Sequence, residues 1–418
     1  MDPPTLPQEE VIPLIVSQLC HYGYTSLAQV VAAQTDSPID LTPSSRLSEL
    51  LYIAKEQEEE EMHPSLIMPD DDDDDIGDES SPVEESHYTN TGVSKCLMSM
   101  DPDDIPETKS PPNYNTWYIT THRAASTCAI FSGDGKYAAT GSADASLKVL
   151  DTSKMNSRSD EDRPVIRTLY DHLAAVNDLS FHPNGLVLAS CSEDQSIKLF
   201  DLSKPGVKRS FRYLQDTHVV RSIAFHPSGD FILAGTDHES VRIYDVKKFQ
   251  CYTASSNQSD LHQGGITKVR FVHNGGQFVT SSLDGSIKIW DVVSGRCQRT
   301  IEKAHDSATV SSVQFSRNGR FVLSGGKDSV LRLWDTGSGK CVMEYKGAVQ
   351  QNHALQSTFT NNEDYVLSSD ETTNNVVCWD TRTGELIKQW SGHAGIVRCV
   401  AASPTEPGFI SCSDDYRL

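Results

Sequence analysis

From about residue 115 to the end of the chain, apolar and polar residues alternate in short runs such as DLSF, FILAG and SIKIW. A period of two marks strands with one buried face. The runs are punctuated by SGDG, HPNG, HPSG, HNGG and SRNG, whose glycines supply the left-handed backbone that a tight hairpin needs. One phrase then recurs. GSADASLKVLD ends at Asp151, SEDQSIKLFD at Asp201, TDHESVRIYD at Asp245, SLDGSIKIWD at Asp291 and GKDSVLRLWD at Asp335; a worn copy, ETTNNVVCWD, ends at Asp380. Successive aspartates are 50, 44, 46, 44 and 45 residues apart. Such a period, with several short strands per unit, predicts the blades of a β-propeller over residues 113–418.

Residues 8–60 carry a different, helical pattern. Val11, Ile12, Ile15, Val16 and Leu19 form one stripe, with Glu9 and Glu10 where a helix dipole favours negative charge. Gly23 closes that helix and Thr25 caps the next, which carries Leu27, Val30 and Val31. A third starts at Thr42-Pro43 and sets Leu47, Leu50, Leu51 and Ala54 on one side. Three short one-sided helices hold too little core to stand alone, so either the large domain or a second copy must cover them.

Charge separates these parts. The net charge of −22 is concentrated in residues 1–116, which hold 25 acidic and 4 basic side chains; residues 117–418 hold 33 and 32. Residues 61–112, with the run Asp70 to Asp75 and several prolines, are expected to form a disordered acidic linker. Ser81-Pro82 and Ser110-Pro111 match proline-directed phosphorylation sites, a dipeptide common enough to arise by chance. No apolar run reaches the length of a membrane span, and the first residues do not read as a secretory signal. Ten scattered cysteines, among them Cys128, Cys191, Cys378, Cys399 and Cys412 in strand-like surroundings, suit reduced thiols and offer no zinc-ligand spacing.

Seven histidines precede the successive units: His122, His172, His218, His262, His305, His353 and His393. Seven residues before a terminal aspartate stands a second one, at Asp144, Asp194, Asp284 and Asp328; the third unit has His238 there, with Asp237 one place early, and the sixth has Thr373. His393 and Asp415 make the seventh pair. A turn between strands leaves backbone donors open, and a carboxylate accepts them while orienting an imidazole. His-Asp-Ser constellations invite a catalytic reading, but a motif copied once per unit reads as a structural staple. With no nucleophile, metal site or phosphate loop apparent, the expectation is a protein that is not an enzyme and needs no cofactor or small-molecule substrate. The recurring base at Lys148, Lys198, Arg242, Lys288 and Arg332 sits three residues before the terminal aspartate, where its stem covers neighbours. Without a broad basic footprint, direct RNA binding is disfavoured, and KPGVKRSFR (204–212) is only a modest cluster.

These residues resemble the WD-repeat family. The resemblance implies an all-β, seven-bladed propeller in which the turn aspartate bonds the histidine, which links to a Ser or Thr of the second strand and a Trp of the third. It also implies that a strand from the start of the domain, here NTWYITTH (115–122), completes the last blade. The seventh terminal aspartate falls due at about position 425, past the final CSDDYRL. The last blade is therefore expected to be incomplete, with the first strand mispaired or an edge unsatisfied, as in a truncated isoform or incomplete gene model.

Strings outside the generic pattern are more specific. PVIRTLYDH (164–172), KLFDLSKPGVKRSFRYLQ, RSIAFHPSGDFIL (221–233), EKAHD (302–306) and CSDDYR (412–417) resemble the WD-repeat subunits of cleavage stimulation factor. LIVSQLCHYGYTSLAQVV resembles the LisH-type dimerisation motif, with Leu19, Gly23, Tyr24 and Ala28 in matching places. The acidic run departs from that pattern. What the resemblance implies is a nuclear, non-catalytic scaffold for pre-mRNA 3′-end cleavage and polyadenylation. The propeller would dock the factor's helical-repeat subunit, residues 8–60 would pair two copies, and another subunit would read RNA. The alternative is a LisH–WD adaptor, such as the substrate receptor of a ubiquitin ligase. By register, Thr127, Asn177, Arg221, Thr267, Ser311 and Arg398 start the first strand of their blades near one rim. Arg221 and Arg398 are the candidate partner-binding residues, since a guanidinium fork grips carboxylates or backbone; ordinary solvent-facing charge is the other reading.

Overall fold

The computed structural model describes residues 113–418, apart from 115, 117, 156–163, 205, 207 and 256, together with Val16 and Ala32. Backbone contacts divide the chain into two compact units, Met1–Tyr88 and Thr89–Leu418. In the first, Val16 and Ala32 are helical and buried. Leu19, Gly23, Tyr24, Ala28 and the acidic linker lie outside the described residues.

The second unit is a succession of antiparallel sheets in chain order. Blade one comprises β1 (Ser126–Phe131), β2 (Tyr137–Ser142), β3 (Ser146–Asp151) and β4 (Val165–Tyr170). Blade two comprises β5 (Val176–Phe181), β6 (Val187–Ser192), β7 (Ser196–Asp201) and β8 (Arg212–Gln215). Blade three has β9 (Val220–Phe225), β10 (Phe231–Thr236), β11 (Arg242–Asp245) and β12 (Gln250–Thr253). Blade four has β13 (Ile266–Phe271), β14 (Gln277–Ser282), β15 (Ile287–Asp291) and β16 (Cys297–Ile301). Blade five has β17 (Val310–Phe315), β18 (Phe321–Gly326), β19 (Leu331–Asp335) and β20 (Cys341–Tyr345). Blade six has β21 (Thr358–Phe359), β22 (Tyr365–Ser369), β23 (Val376–Asp380) and β24 (Leu386–Trp390). A last sheet holds only β25 (Val397–Ala402) and β26 (Phe409–Ser413). The sevenfold expectation is thus corrected to six complete four-stranded blades and a two-stranded sheet. Among the described elements of the second unit the one α-helix is the single turn Thr152–Met155.

Alternation along the strands puts apolar side chains between neighbouring sheets. Val149 and Leu147 of blade one meet Val176, Leu179 and Leu188 of blade two, and the same layer recurs between each later pair through blade six and the last sheet. Cys128, Cys191, Cys378, Cys399 and Cys412 are buried free thiols, whereas Cys251, Cys297 and Cys341 on outer strands are not buried. In the β1–β2 hairpin Gly135 has φ +72°, and Gly185, Gly229, Gly275 and Gly319 repeat that left-handed turn in the next four blades.

The residues just before β1 meet the last residues of the chain. His122 N–H donates to Tyr416 O at 2.9 Å, and Leu418 N–H to Thr120 O at 3.0 Å. Cys412 Sγ lies 3.5 Å from Cys128 O across the same seam. The segment before β1 is therefore neither mispaired nor idle: it pairs with residues 416–418. The amides of His122 and Leu418 are accordingly expected to exchange with solvent much more slowly than free chain ends in native-state hydrogen exchange. Exchange at the unprotected rate means an open ring.

Candidate functional site

Two groups of residues were singled out in the sequence, the blade networks and the rim arginines. The networks differ from blade to blade. In blade four His262 Nε2 lies 2.7 Å from Thr280 Oγ1, and Nδ1 lies 2.9 Å from Ser286 Oγ and 3.3 Å from Asp284. Trp290 Nε1 donates to the same Thr280 hydroxyl at 2.9 Å. Blade five repeats this with His305 Nδ1 2.8 Å from Asp328, and with Ser324 between His305 and Trp334. In blade two His172 Nδ1 is 2.8 Å from Asp194 and Nε2 is 2.6 Å from Ser190 Oγ. In the last sheet His393 Nδ1 is 3.1 Å from Asp415 and Nε2 is 2.8 Å from Ser411 Oγ. Blade one is looser: His122 bonds Thr140 and Ser146 at 3.0 Å, and Asp144 stands 3.6 Å away.

Asp144, Asp194, Asp284 and Asp415 also accept backbone donors on both sides of the turn. Asp284 takes Gln263 N–H and Ser286 N–H at 2.7 Å, and Asp194 takes Leu173 N–H and Ser196 N–H at 3.0 Å. The residue after the aspartate is left-handed at Ala145, Gln195, Gly285, Ser329 and Tyr416, mostly without the help of glycine. The carboxylate's bonds offset that strain.

His218 does not join a carboxylate pair, which corrects its place among the network residues. Its ring lies 5.0 Å from that of His238, the histidine that replaces the turn aspartate. Two imidazoles cannot form an ion pair, and Asp216 takes over. It is buried, accepts Tyr244 Oη and Thr217 N–H, and stands 3.8 Å from Arg242. In blade six Asp370 caps the turn, accepting Val349 N–H at 2.9 Å, while His353 reaches only to 3.6 Å from Glu371.

Burial dominates the titration of these groups. It pushes His122 down to about 4, Asp144 offsetting only part of the effect, and it lowers His262 likewise. At Asp328 burial acts to raise the carboxyl, but His305 and Arg332 outweigh it and hold it at about 2.

The rim positions divide in two. Thr127 Oγ1 donates to Val176 O at 2.5 Å, Asn177 Nδ2 to Val220 O at 2.8 Å, Thr267 Oγ1 to Val310 O at 2.5 Å and Ser311 Oγ to Leu355 O at 3.3 Å. These four link each blade to the next. Arg221 and Arg398 do otherwise. Arg221 forks onto Asp237 at 2.8 and 2.9 Å with Glu193 at 3.4 Å, and Arg398 forks onto Asp414 at 2.8 and 2.7 Å. Their side chains remain 40% and 28% exposed.

Sequence reading missed one site. Asp178 of β5, fully enclosed, accepts from Ser222 Oγ at 2.6 Å, Lys268 Nζ at 3.1 Å and Arg270 Nη1 at 2.9 Å, tying blades two, three and four together. Burial raises this carboxyl, yet Arg270 and Lys268 hold it well below its usual range. The signal was present as charges in first strands, DLSF and KVRF, that otherwise read as apolar. Among the described residues no group of three or more His, Cys, Asp or Glu is placed to hold a metal ion.

Against known families, the WD domain, G-beta repeat matches residues 115–151, 163–201, 209–245, 256–291, 295–335 and 384–418. The dimerisation domain of cleavage stimulation factor subunit 1 matches residues 8–59. Cleavage stimulation factor subunit 50 of Arabidopsis thaliana is 38% identical over 410 residues, 97% of this chain and 93% of that protein. The chain belongs to the cleavage stimulation factor WD-repeat subunit family. Likeness to other WD proteins is partial for this family member: nuclear distribution protein nudF of Emericella nidulans is 34% identical over 34% of this chain and 31% of its own. The transcriptional corepressor LEUNIG_HOMOLOG of Arabidopsis thaliana is 28% identical over 48% of this chain and 24% of its own.

Two consequences are measurable. In β18, a Cβ on Gly326 would fall 2.3 Å from the His305 ring. Gly326→Ala is expected to displace that ring and lower stability by about 2–4 kcal/mol in urea unfolding; a loss under 0.5 kcal/mol contradicts the packing. For pH the sign follows from His122. Between the ordinary 6.5 and about 4 the unfolded chain binds a proton that the folded chain refuses. Stability is therefore full above pH 6.5 and falls by on the order of 3 kcal/mol toward pH 4. His122→Asn should flatten that slope between pH 7 and 5, and an unchanged slope contradicts the assignment.

Proposed function

We propose that the protein is a nuclear, non-catalytic scaffold subunit of cleavage stimulation factor in pre-mRNA 3′-end cleavage and polyadenylation. The observation that carries this reading is the union, in one chain, of a match to that factor's dimerisation domain at 8–59 and identity to a named subunit across 97% of the length. The chain divides into a helical pairing region (8–60), an acidic linker (61–112) and a ring (113–418) of six complete blades and a two-stranded last sheet. Pairing presents each docking surface twice, so two weak contacts act as a strong one through effective concentration. The ring docks the helical-repeat subunit of the factor, and another subunit reads RNA.

The blade histidines and aspartates serve as staples within this ring. For docking, the rim favours Arg221 and Arg398 for a reason the sequence alone did not contain. At four equivalent positions the side chain is spent on the next blade, whereas these two guanidiniums are preorganised on the rim by their own turn carboxylates. The adaptor alternative is less favoured because the likeness to nudF spans only about a third of either chain.

The test is co-purification from nuclear extract. The Arg221→Glu, Arg398→Glu double variant is expected to lose the helical-repeat subunit, by at least tenfold in recovery, while keeping its unfolding midpoint within a few degrees. Asp237→Asn with Asp414→Asn, which leaves both guanidiniums in place, should retain it. Undiminished recovery with the first variant refutes the docking role, and recovery of cullin-type ligase subunits supports the adaptor. Light scattering of the full chain should give twice the monomer mass.

A further inference from the structure

The cluster KPGVKRSFR (204–212) shows only charge in the sequence, and the fold adds what surrounds it. Residues 198–212 hold five basic side chains and one acidic, Asp201. The loop leading into β8 is pinned to the end of blade one: Tyr170 N–H donates to Lys208 O at 3.2 Å, and Ser210 N–H to Asp171 at 3.2 Å. Asp171 also accepts the Ser210 hydroxyl and stands 3.6 Å from Lys198, so its charge is already engaged. Nearby cations are paired as well, Lys204 with Asp201 at 3.2 Å and Lys247 of blade three with Asp230 at 2.7 Å. Lys208, Arg209 and Arg212 are exposed and have no carboxylate within ion-pair distance among the described residues.

Aromatic rings stand between these cations. β8 turns Leu214 into the apolar layer against blade three, so alternation turns Tyr213 outward, where it is 65% exposed. Phe211 is 48% exposed, and Tyr170, whose amide makes the bond to Lys208, is 49% exposed. Arg212 departs from its counterparts in other blades. It pairs with Leu199 as Arg167 pairs with Val149 and Arg299 with Ile289. Arg167 donates to the carbonyls of Asp201 and Leu202, and Arg299 to those of Gly337 and Ser338, so both are used in holding the next blade. The Arg212 guanidinium lies over the Phe249 ring instead, 5.2 Å from its centre, and makes no hydrogen bond among the described residues. Its position is fixed while its donors stay open.

We propose that this outer strip of blades one and two is a docking site for single-stranded RNA, which it holds without reading sequence. Bases stack on Tyr170, Phe211 and Tyr213, and phosphates meet Lys208, Arg209 and Arg212. Two residues of strand set Phe211 and Tyr213 about 7 Å apart, roughly twice the 3.4 Å repeat of a stacked strand, so neighbouring bases splay and each takes a ring. An acidic peptide would use the same cations but would leave the three rings facing water. The near-neutral charge of the ring as a whole does not oppose this, because the strip's own cations are uncompensated and act within a Debye length. Sequence reading stays with another subunit, and the strip needs neither that subunit nor the rim arginines.

The probe is a fluorescein-labelled uridine oligonucleotide of about 12 nucleotides, titrated into the full-length protein at about 0.1 M salt and read by anisotropy. Saturable binding of one oligonucleotide per protomer is expected, and an adenosine oligonucleotide of equal length should bind within about threefold. Phe211→Leu with Tyr213→Leu keeps apolar side chains but removes both stacking faces, and should weaken binding at least tenfold with the salt dependence unchanged. Lys208→Gln, Arg209→Gln and Arg212→Gln together should instead lower the slope of log affinity against log salt by about 2. Both variants change exposed side chains and should keep the unfolding midpoint of the parent. Absence of saturable binding overturns the proposal, as does unchanged affinity in the leucine variant. Equal binding of a labelled glutamate peptide of the same charge also overturns it, because the strip then serves an acidic protein.

Discussion

A turn between two strands exposes backbone N–H groups that have no partner in the ladder, and this structure meets them with a carboxylate in nearly every blade. Asp284 and Asp194 each accept donors from the turn and from the loop entering the blade. That shared acceptor fixes the loop against the turn, and the histidine beneath carries the link to a hydroxyl of the second strand. Left-handed residues after the aspartate follow from the same bonds. Where the aspartate is lost the demand persists, and another carboxylate answers it: Asp216 in blade three and Asp370 in blade six. The need is conserved by physics rather than by residue type.

Between blades the forces are different. Apolar layers supply non-directional attraction, while rim hydroxyls and amides reaching the next blade's first carbonyl fix the register. Asp178 adds a directional bond across three blades. A charge so enclosed is tolerable because Lys268 and Arg270 face it, and removing both would leave it uncompensated. The seam between the last sheet and blade one rests instead on buried thiols and a short ladder through Thr120–His122.

Much of this was legible in the sequence, and the reasons are specific. The repeated terminal aspartate and its turn partner exposed the blade period, because a propeller reuses one solution to one local problem. Alternation revealed the strands, because apolar side chains enter the layers between blades while the positions between them take Ser, Thr and charged groups. What stayed hidden was relational. The string TDHESVRIYD shows that the turn carboxylate is missing, but not that Asp216 of the preceding loop takes its place and accepts the hydroxyl of Tyr244. Thr127 and Asn177 looked like available rim side chains, since nothing local indicates a bond to a carbonyl more than 40 residues away. The charges of Asp178, Lys268 and Arg270 are individually ordinary, and only the ring brings them together. Pairing of Thr120–His122 with the final residues likewise depends on where the ring closes.

A ring whose turn donors are met by its own carboxylates is suited to holding other proteins, because those turns need not rearrange on binding. The account stands on the claim that the imidazole–carboxylate contact is an energetic staple and not an accident of proximity. A double-mutant cycle on His172→Ala and Asp194→Asn by urea unfolding measures this most directly, with His218→Ala and Asp237→Asn in blade three as the matched control. The account predicts a coupling of about 1–2 kcal/mol for the first pair and none for the second. Equal couplings, or none in blade two, would contradict it.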